Sequence, residues 1–280
     1  MRANDHFLRI VLVTLLAVGM AAPHAFAADE AFEVSGQIGF VSDYVSRGLS
    51  QTQHRPALQA GVEISHLSGV YAGVWGSNIS NTLYPGGSVE TELYLGYDRK
   101  FNNDYTLRLE GIYYLYPGAN NSKGVCYPVA ACASQSFNTF IGRISVGRDW
   151  LTARVGYSFT NYFGDAAATG FPGGTRGTTY WELNANYPLP FAKDWKAVGH
   201  LGYTWYPSKF VLPYPPFSQN ENYLDWQLGI TKELSGWAKN WKVGIAYAQA
   251  NNVGGFDPYV NYQTTRLGRA AAILSIEHHF

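Results

Sequence analysis

Where charge interrupts the apolar pattern of this sequence, it keeps to one parity. Glu63, Glu90, Glu92, Arg108, Glu110, Arg143, Arg154, Glu182 and Asp225 each stand in a stretch whose alternate residues are largely apolar. Carboxylates and guanidiniums placed this way can pair, bind ions or set up a field across a gap. Covalent chemistry needs more, and the usual combinations are missing. The sequence holds no Gly-x-Ser-x-Gly elbow, no His-Glu-x-x-His and no phosphate-binding loop. The nearest Ser–His pair, His66 with Ser68, falls in a turn. His278 and His279 are adjacent, so in a strand they point to opposite faces and cannot chelate one ion together. The expected chemistry is therefore binding or passage of polar solutes, without catalysis, metal or cofactor.

Cys126 and Cys132 sit with five residues between them in a segment rich in Gly, Asn and Pro. In an oxidising compartment the pair is expected to form a disulfide, contributing roughly 2 kcal/mol to local order. Zinc is the weaker reading, because two thiols without a nearby His are an incomplete set.

The elements that must position these side chains are strands. Leu151, Ala153, Val155, Tyr157 and Phe159 alternate with Thr152, Arg154, Gly156, Ser158 and Thr160. A period of two places one set on each face of a sheet. The pattern recurs along most of the chain, and no segment carries a helical period. Short connections are expected near 67–69, 98–104, 147–150, 188–195 and 233–240. Long ones, rich in Gly, Pro and Asn, are expected near 45–56, 79–88, 117–135, 163–177, 207–220 and 252–264. Eleven connections imply twelve antiparallel strands, with short turns at one rim and long loops at the other. That is the architecture of an outer-membrane β-barrel.

A soluble β-sandwich or small barrel is the rival, since alternation alone does not separate them. The clean segments run to about ten residues, the length of a tilted membrane crossing. Trp150, Trp195, Trp237 and Trp241 fall at short turns, and Tyr162, Trp205, Tyr206 and Tyr223 near long loops. These are expected to form an aromatic girdle at each interface. Only 14% of residues are charged while 16% are aromatic, and formal net charge is zero. That balance gives no reason to expect a nucleic-acid partner.

Both ends of the chain carry signals. Arg2 and Arg9 precede an apolar run from Ile10 to Ala22, and Ala25-Phe26-Ala27 offers a cleavage site. Residues 1–27 are read as a signal peptide and 28–280 as the barrel, exported to the outer membrane. At the other end Leu274, Ile276, His278 and Phe280 share a face. The terminal Phe280 resembles the signal read by barrel-assembly machinery, with His278 a mild departure from its usual apolar residue.

A family resemblance joins these readings. The stretch from Phe40 to Gln51, containing Asp43, Tyr44, Arg47, Gly48, Ser50 and Gln51, resembles the opening motif of the TorF porin family, also called Gcw_chp. Tyr71 to Asn78, with Trp75, then Glu92 to Tyr97 and Tyr113 to Gly118, fit it as well. The resemblance spans the mature chain and implies an outer-membrane barrel. It brings no substrate and no established site residues.

Hairpin centres give approximate registers. They place Arg143 opposite Arg154, Glu110 beside Arg143 and Glu92 beside Glu110, a charge row across one height of the lumen. The row either selects permeants or, on the slightly preferred reading, is a salt-bridge network that props the wall. Asp43 and Arg47 are expected to pair and order the first loop, with Gly48 in a tight turn. A sharper alternative puts Arg47 at the pore mouth, against anionic solutes. The functional reading is a channel for passive diffusion of small hydrophilic solutes, in contact with outer-membrane lipid. A lipid-active barrel enzyme, and a non-conducting structural or receptor barrel, are the alternatives.

Overall fold

A computed structural model describes residues 31–101, 104–125, 132–212, 217–251 and 266–280. Residues 34–280 form one compact unit. Its wall is a closed barrel of twelve strands in the order β1-β16-β15-β14-β11-β10-β9-β8-β7-β6-β5-β4. They are β1 (Phe32–Val41), β4 (Ala57–His66), β5 (Val70–Asn78), β6 (Val89–Phe101), β7 (Tyr105–Leu115), β8 (Thr139–Arg148), β9 (Leu151–Ser158), β10 (Thr179–Pro188), β11 (Trp195–Trp205), β14 (Tyr223–Glu233), β15 (Trp241–Asn251) and β16 (Ala271–His279). The expected strand count and the alternation of short and long connections both hold. Two small hairpins lie outside the wall: β2 (Val45–Ser46) with β3 (Leu49–Ser50), and β12 (Phe210–Leu212) with β13 (Phe217–Gln219). Every wall pairing is antiparallel, and the seam between β1 and β16 closes the sheet.

Closure leaves no edge strand, so wall backbone groups satisfy one another. Alternation then decides the faces. Phe40, Leu95, Ile144, Trp181, Leu201, Leu228, Ile245 and Leu274 are all between 48 and 61% exposed and point away from the lumen. Glu90, Glu110, Ser145, Thr204 and Asp225, on the opposite parity, are at most 9% exposed. A soluble barrel has the reverse arrangement, so the rival reading fails on this point. Among the described residues no helix is long and apolar enough to cross a membrane. Any crossing is made by strands.

At the seam, Phe280 exchanges backbone hydrogen bonds with Gly36, at 2.8 and 2.9 Å. A Cβ on Gly36 would meet the Phe280 ring at 2.5 Å, so glycine lets the terminal ring lie flat on the wall.

The girdles are only half as expected. At the short-turn rim Trp150, Trp237 and Trp241 are exposed, as is Trp205 near the long loops. Tyr162, Tyr206 and Tyr223, however, are at most 4% exposed and face inward. Parity is the reason for Tyr223: it shares a face with Asp225, so it cannot also face lipid. With Tyr44, Tyr114, Tyr116 and Phe171 they form an aromatic cluster filling the long-loop end.

Candidate functional site

The site begins with the first loop. After Ser42 the chain turns into the lumen instead of extending outward. Val45 pairs with Ser50 and Ser46 with Leu49. The tip, Arg47-Gly48, has positive φ at both residues (48° and 73°), the form that joins two strands with least splay. Gly48 is required twice over. Besides its φ, a Cβ there would stand 2.3 Å from Cβ of Asp225 and 2.8 Å from Cβ of Ala250. The hairpin therefore presses its tip against β14 and β15.

Its root is tied by Asp43, which is 4% exposed. Ser50 Oγ donates to Asp43 Oδ1 at 2.5 Å, Thr52 Oγ1 donates at 3.2 Å, and His54 Nδ1 lies 2.7 Å from Oδ2. The other ring nitrogen of His54 lies 2.9 Å from the carbonyl of Arg266, joining the first loop to the last. The hydrogen bond to Asp43 raises the His54 pKa above its ordinary value, against the opposing effect of burial. The Tyr44 hydroxyl donates to Glu90 at 3.2 Å, and its ring meets Trp75 edge-on at 5.5 Å. Gln51 accepts from Tyr84. The motif residues Asp43, Tyr44, Arg47, Gly48, Ser50, Gln51 and Trp75 thus converge on one inserted hairpin and the wall beneath it.

The expected Asp43–Arg47 pair does not form. Asp43 is saturated by Ser50, Thr52 and His54, and the tight turn sends Arg47 the other way. Its guanidinium lies 4.9–5.6 Å from the ring centroids of Phe163, Tyr180, Tyr162 and Tyr114. One N–H points at Tyr114 Oη from 3.4 Å. Among the described residues no carboxylate lies within 4.0 Å of it.

The charge row needs correcting in two of its three contacts. Glu110 does face Arg143 across β7 and β8. The two form an ion pair through both Nε, at 2.9 Å, and Nη2. Glu92 instead faces Tyr114, and Glu110 faces Gly96. Asp98, Arg99 and Lys100 look like turn residues but stay in the β6–β7 ladder, which moves the hairpin centre two positions along. Asp98 is held there by a two-pronged bond from Arg108, at 2.8 and 2.7 Å. Arg143 faces Gly156 and Arg154 faces Ser145, a slip of one position at the hairpin centre. The two arginines are staggered, which removes the direct repulsion that opposed guanidiniums would suffer.

His200 had no place in the sequence reading, and the structure sets it at the heart of the wall. Its Nε2 lies 2.9 Å from Asp225 Oδ1 and 2.9 Å from the Tyr180 hydroxyl, and Nδ1 lies 2.8 Å from Asn184 Oδ1. The signal was available in part. His200 has the opposite parity to Leu201, Tyr203 and Trp205, but β11 is mixed on both faces in sequence and gives no clear side.

Between the hairpin and the wall lies a cavity of about 260 Å³, lined by Arg47, Glu92, Tyr114, Arg143, Arg154, Tyr180, Glu182 and His200 among others. It has room for several water molecules. A polar, charged cavity inside a wall with an apolar outer face is suited to hold or pass hydrophilic solutes. His66 and Ser68, 2.8 Å apart, sit at the exposed turn between β4 and β5, and neither lines this cavity. Among the described residues no cluster of His, Cys, Asp and Glu could hold a metal. Cys126 lies outside the described residues, and Cys132 is 8% exposed.

Comparison with known proteins now adds a lineage. The family profile described as "Bacterial protein of unknown function (Gcw_chp)" matches residues 25–280. The chain is a member of the Gcw_chp family. No curated protein matches the sequence. Among solved structures, one titled "KdgM porin" is 11% identical over 88% of this chain and 97% of its own, with TM-score 0.46. A NanC porin structure is 8% identical over 88% and 98%, with TM-score 0.47. Acinetobacter baumannii OccAB1 is 14% identical over 92% of this chain and 65% of its own, with TM-score 0.44. Likenesses this distant carry no argument about solutes.

Proposed function

We propose that this Gcw_chp protein is an outer-membrane channel through which small hydrophilic solutes diffuse passively, narrowed by the first-loop hairpin. One observation carries the reading: a wall apolar outside and charged inside surrounds a polar cavity of about 260 Å³ bounded by an inserted loop. In this reading residues 1–27 direct export and are removed, and the TorF porin resemblance of the opening motif marks the constriction. Phe280, whose backbone closes the seam, is the terminus that assembly machinery recognises. Cys126 and Cys132 form a loop disulfide, testable by the absence of alkylatable thiols before reduction. Arg143 and Arg154, with Glu92 and Glu110 nearby, bias the passage of ions.

Planar-bilayer recording of the refolded mature protein tests the channel. Discrete conductance steps are expected, together with a heat-dependent shift on denaturing gels. A folded barrel that gives no steps overturns the reading in favour of a structural or receptor barrel. Reversing Arg143 and Arg154 to Glu should raise cation preference, because ions must pass within a Debye length of both. Reversing Arg99, beyond the lumen on the short-turn side, should change it far less. An unchanged reversal potential in the folded, conducting double variant takes the two arginines off the path.

A further inference from the structure

The cavity floor has a gap at one defined place. Gly156 is buried on the inward face of β9, between Arg154 and Ser158 on its own strand. Its ladder partners are Arg143 on β8 and Tyr180 on β10. A Cβ on Gly156 would meet only Ile141 Cγ2 closely, at 3.3 Å, with the next contacts at 3.9 and 4.0 Å. Bare backbone is thus ringed by two guanidiniums, a hydroxyl and a phenol, and Arg47 closes the cavity from the hairpin side over the Tyr180 ring.

The donors around this gap are unequally used. Arg143 is held by Glu110. Arg154 comes no nearer than 3.9 Å to Glu182, and its Nε is buried with no hydrogen-bond partner. Arg47 has aromatic faces and one long contact to a phenol. The acids are better matched: Glu182 accepts from Asn184 at 3.0 Å, and Asp225 is engaged by Tyr180 and His200. Glu92 stands on β6, separated from β9 by β7 and β8, and lines the same cavity. A cation entering here would meet three guanidiniums. A carboxylate would complete the spare donors of Arg154 and Arg47, since guanidinium–carboxylate bonds are the strong kind. Hydroxyls on the same molecule could donate to Glu92, which only accepts when ionised.

We infer that this cavity is a binding site for a small hydroxylated carboxylate, its anionic end over Gly156 between Arg154 and Arg47 and its hydroxyls toward Glu92. The inference rests on the channel reading for its role in transport, but the site itself does not need conductance.

Gluconate and its neutral counterpart sorbitol are matched probes, differing at the carboxylate. Titration calorimetry of the folded, detergent-solubilised mature protein should show gluconate binding, with sorbitol roughly ten-fold weaker or worse. Arg47→Gln and Arg154→Gln should each weaken gluconate by about ten-fold. Gly156→Leu should abolish binding by filling the floor without removing a charge, which keeps the test valid if an arginine variant fails to fold. In bilayers gluconate should interrupt the current and sorbitol should not. If wild-type protein conducts potassium chloride yet binds neither probe, or binds both equally, the inference is overturned and the channel stands. If gluconate binds selectively to a barrel that never conducts, the site stands and the channel reading falls.

Discussion

The two ends of the barrel solve the same problem differently. At the short-turn end, charges stand on the wall strands and are paired across neighbours: Arg108 with Asp98, Lys196 with Glu233 at 2.6 Å, Lys242 with Glu277 at 2.7 Å. These side chains are between 26 and 59% exposed, so water does much of the work and each pair contributes little. At the long-loop end the lumen is packed with tyrosine and phenylalanine from loops far apart in sequence. Tyr84 stacks on Tyr116 with centroids 4.6 Å apart, and Tyr162 meets Tyr206 edge-on at 5.5 Å. One end is a screened polar rim and the other a buried core. The difference teaches that alternation builds the tube, whereas the loops decide how much of it is open.

The largest effect is expected from emptying the packed end. Tyr44 and Gln51 already pair through backbone, Gln51 N–H donating to the Tyr44 carbonyl at 2.7 Å. A two-residue Asn-Gly turn can therefore replace residues 45–50 without stretching the chain. Single-channel conductance should rise several-fold. No change would mean that the hairpin is not the narrowest point, and the comparison between the ends would lose its functional content.

Next in size is Glu110→Gln, which strands Arg143 in the wall. Removing one partner of a buried pair costs about 3 kcal/mol, read as a lower denaturant midpoint for the folded barrel. Arg143 is 26% exposed, which trims the figure toward 2 kcal/mol. A shift below about 0.5 kcal/mol would show that lumen water replaces Glu110 fully.

A smaller, pH-dependent effect should belong to the packed end alone. Burial pushes the Asp165 carboxyl up to about 8, with Glu221 adding to it and a hydrogen bond from Tyr206 opposing it. His54, beside Asp43 and Arg269, is also raised. Both groups hold protons in the folded loops that the unfolded chain gives up earlier. Their contributions are present at low pH and lost as pH climbs, for Asp165 from about 4 to about 8 and for His54 through its elevated folded value. Limited proteolysis of the long loops should quicken between pH 5 and 8 while the wall is unaffected. Equal rates across that range would rule out this coupling.

The smallest effect is expected at the polar rim, where Lys196→Ala should cost less than about 1 kcal/mol in a denaturant titration. A larger loss would erase the contrast between the ends.

How much of this was legible beforehand follows the same division. The wall was open to reading because period-two alternation is local: Leu151 to Phe159 declare their faces without reference to any other strand. The Glu110–Arg143 contact was legible too, since the centre of their hairpin was placed correctly despite the long loop. The β6–β7 register was not, because Asp98-Arg99-Lys100 has a turn's composition and a strand's pairing. Tyr162, Tyr206 and Tyr223 were assigned to a girdle by position along the chain, although Tyr223's own parity pointed inward. The hairpin was half legible. Arg47-Gly48 between Val45-Ser46 and Leu49-Ser50 is a turn signal, but its direction depends on Asp225 and Ala250, some two hundred residues later in the chain. Contacts of that separation leave no periodic trace.

The support of that hairpin at both ends has a mechanical consequence. Clamped at its root by Asp43 and stopped at its tip by β14 and β15, it is a strut braced at both ends, where a loop held only at its base would be a flap. Bending a strut requires moving the wall itself, which a closed sheet resists. An orifice framed this way keeps its bore from one moment to the next, so current through it should be quiet. Flicker, where it occurs, would report solute passing the frame.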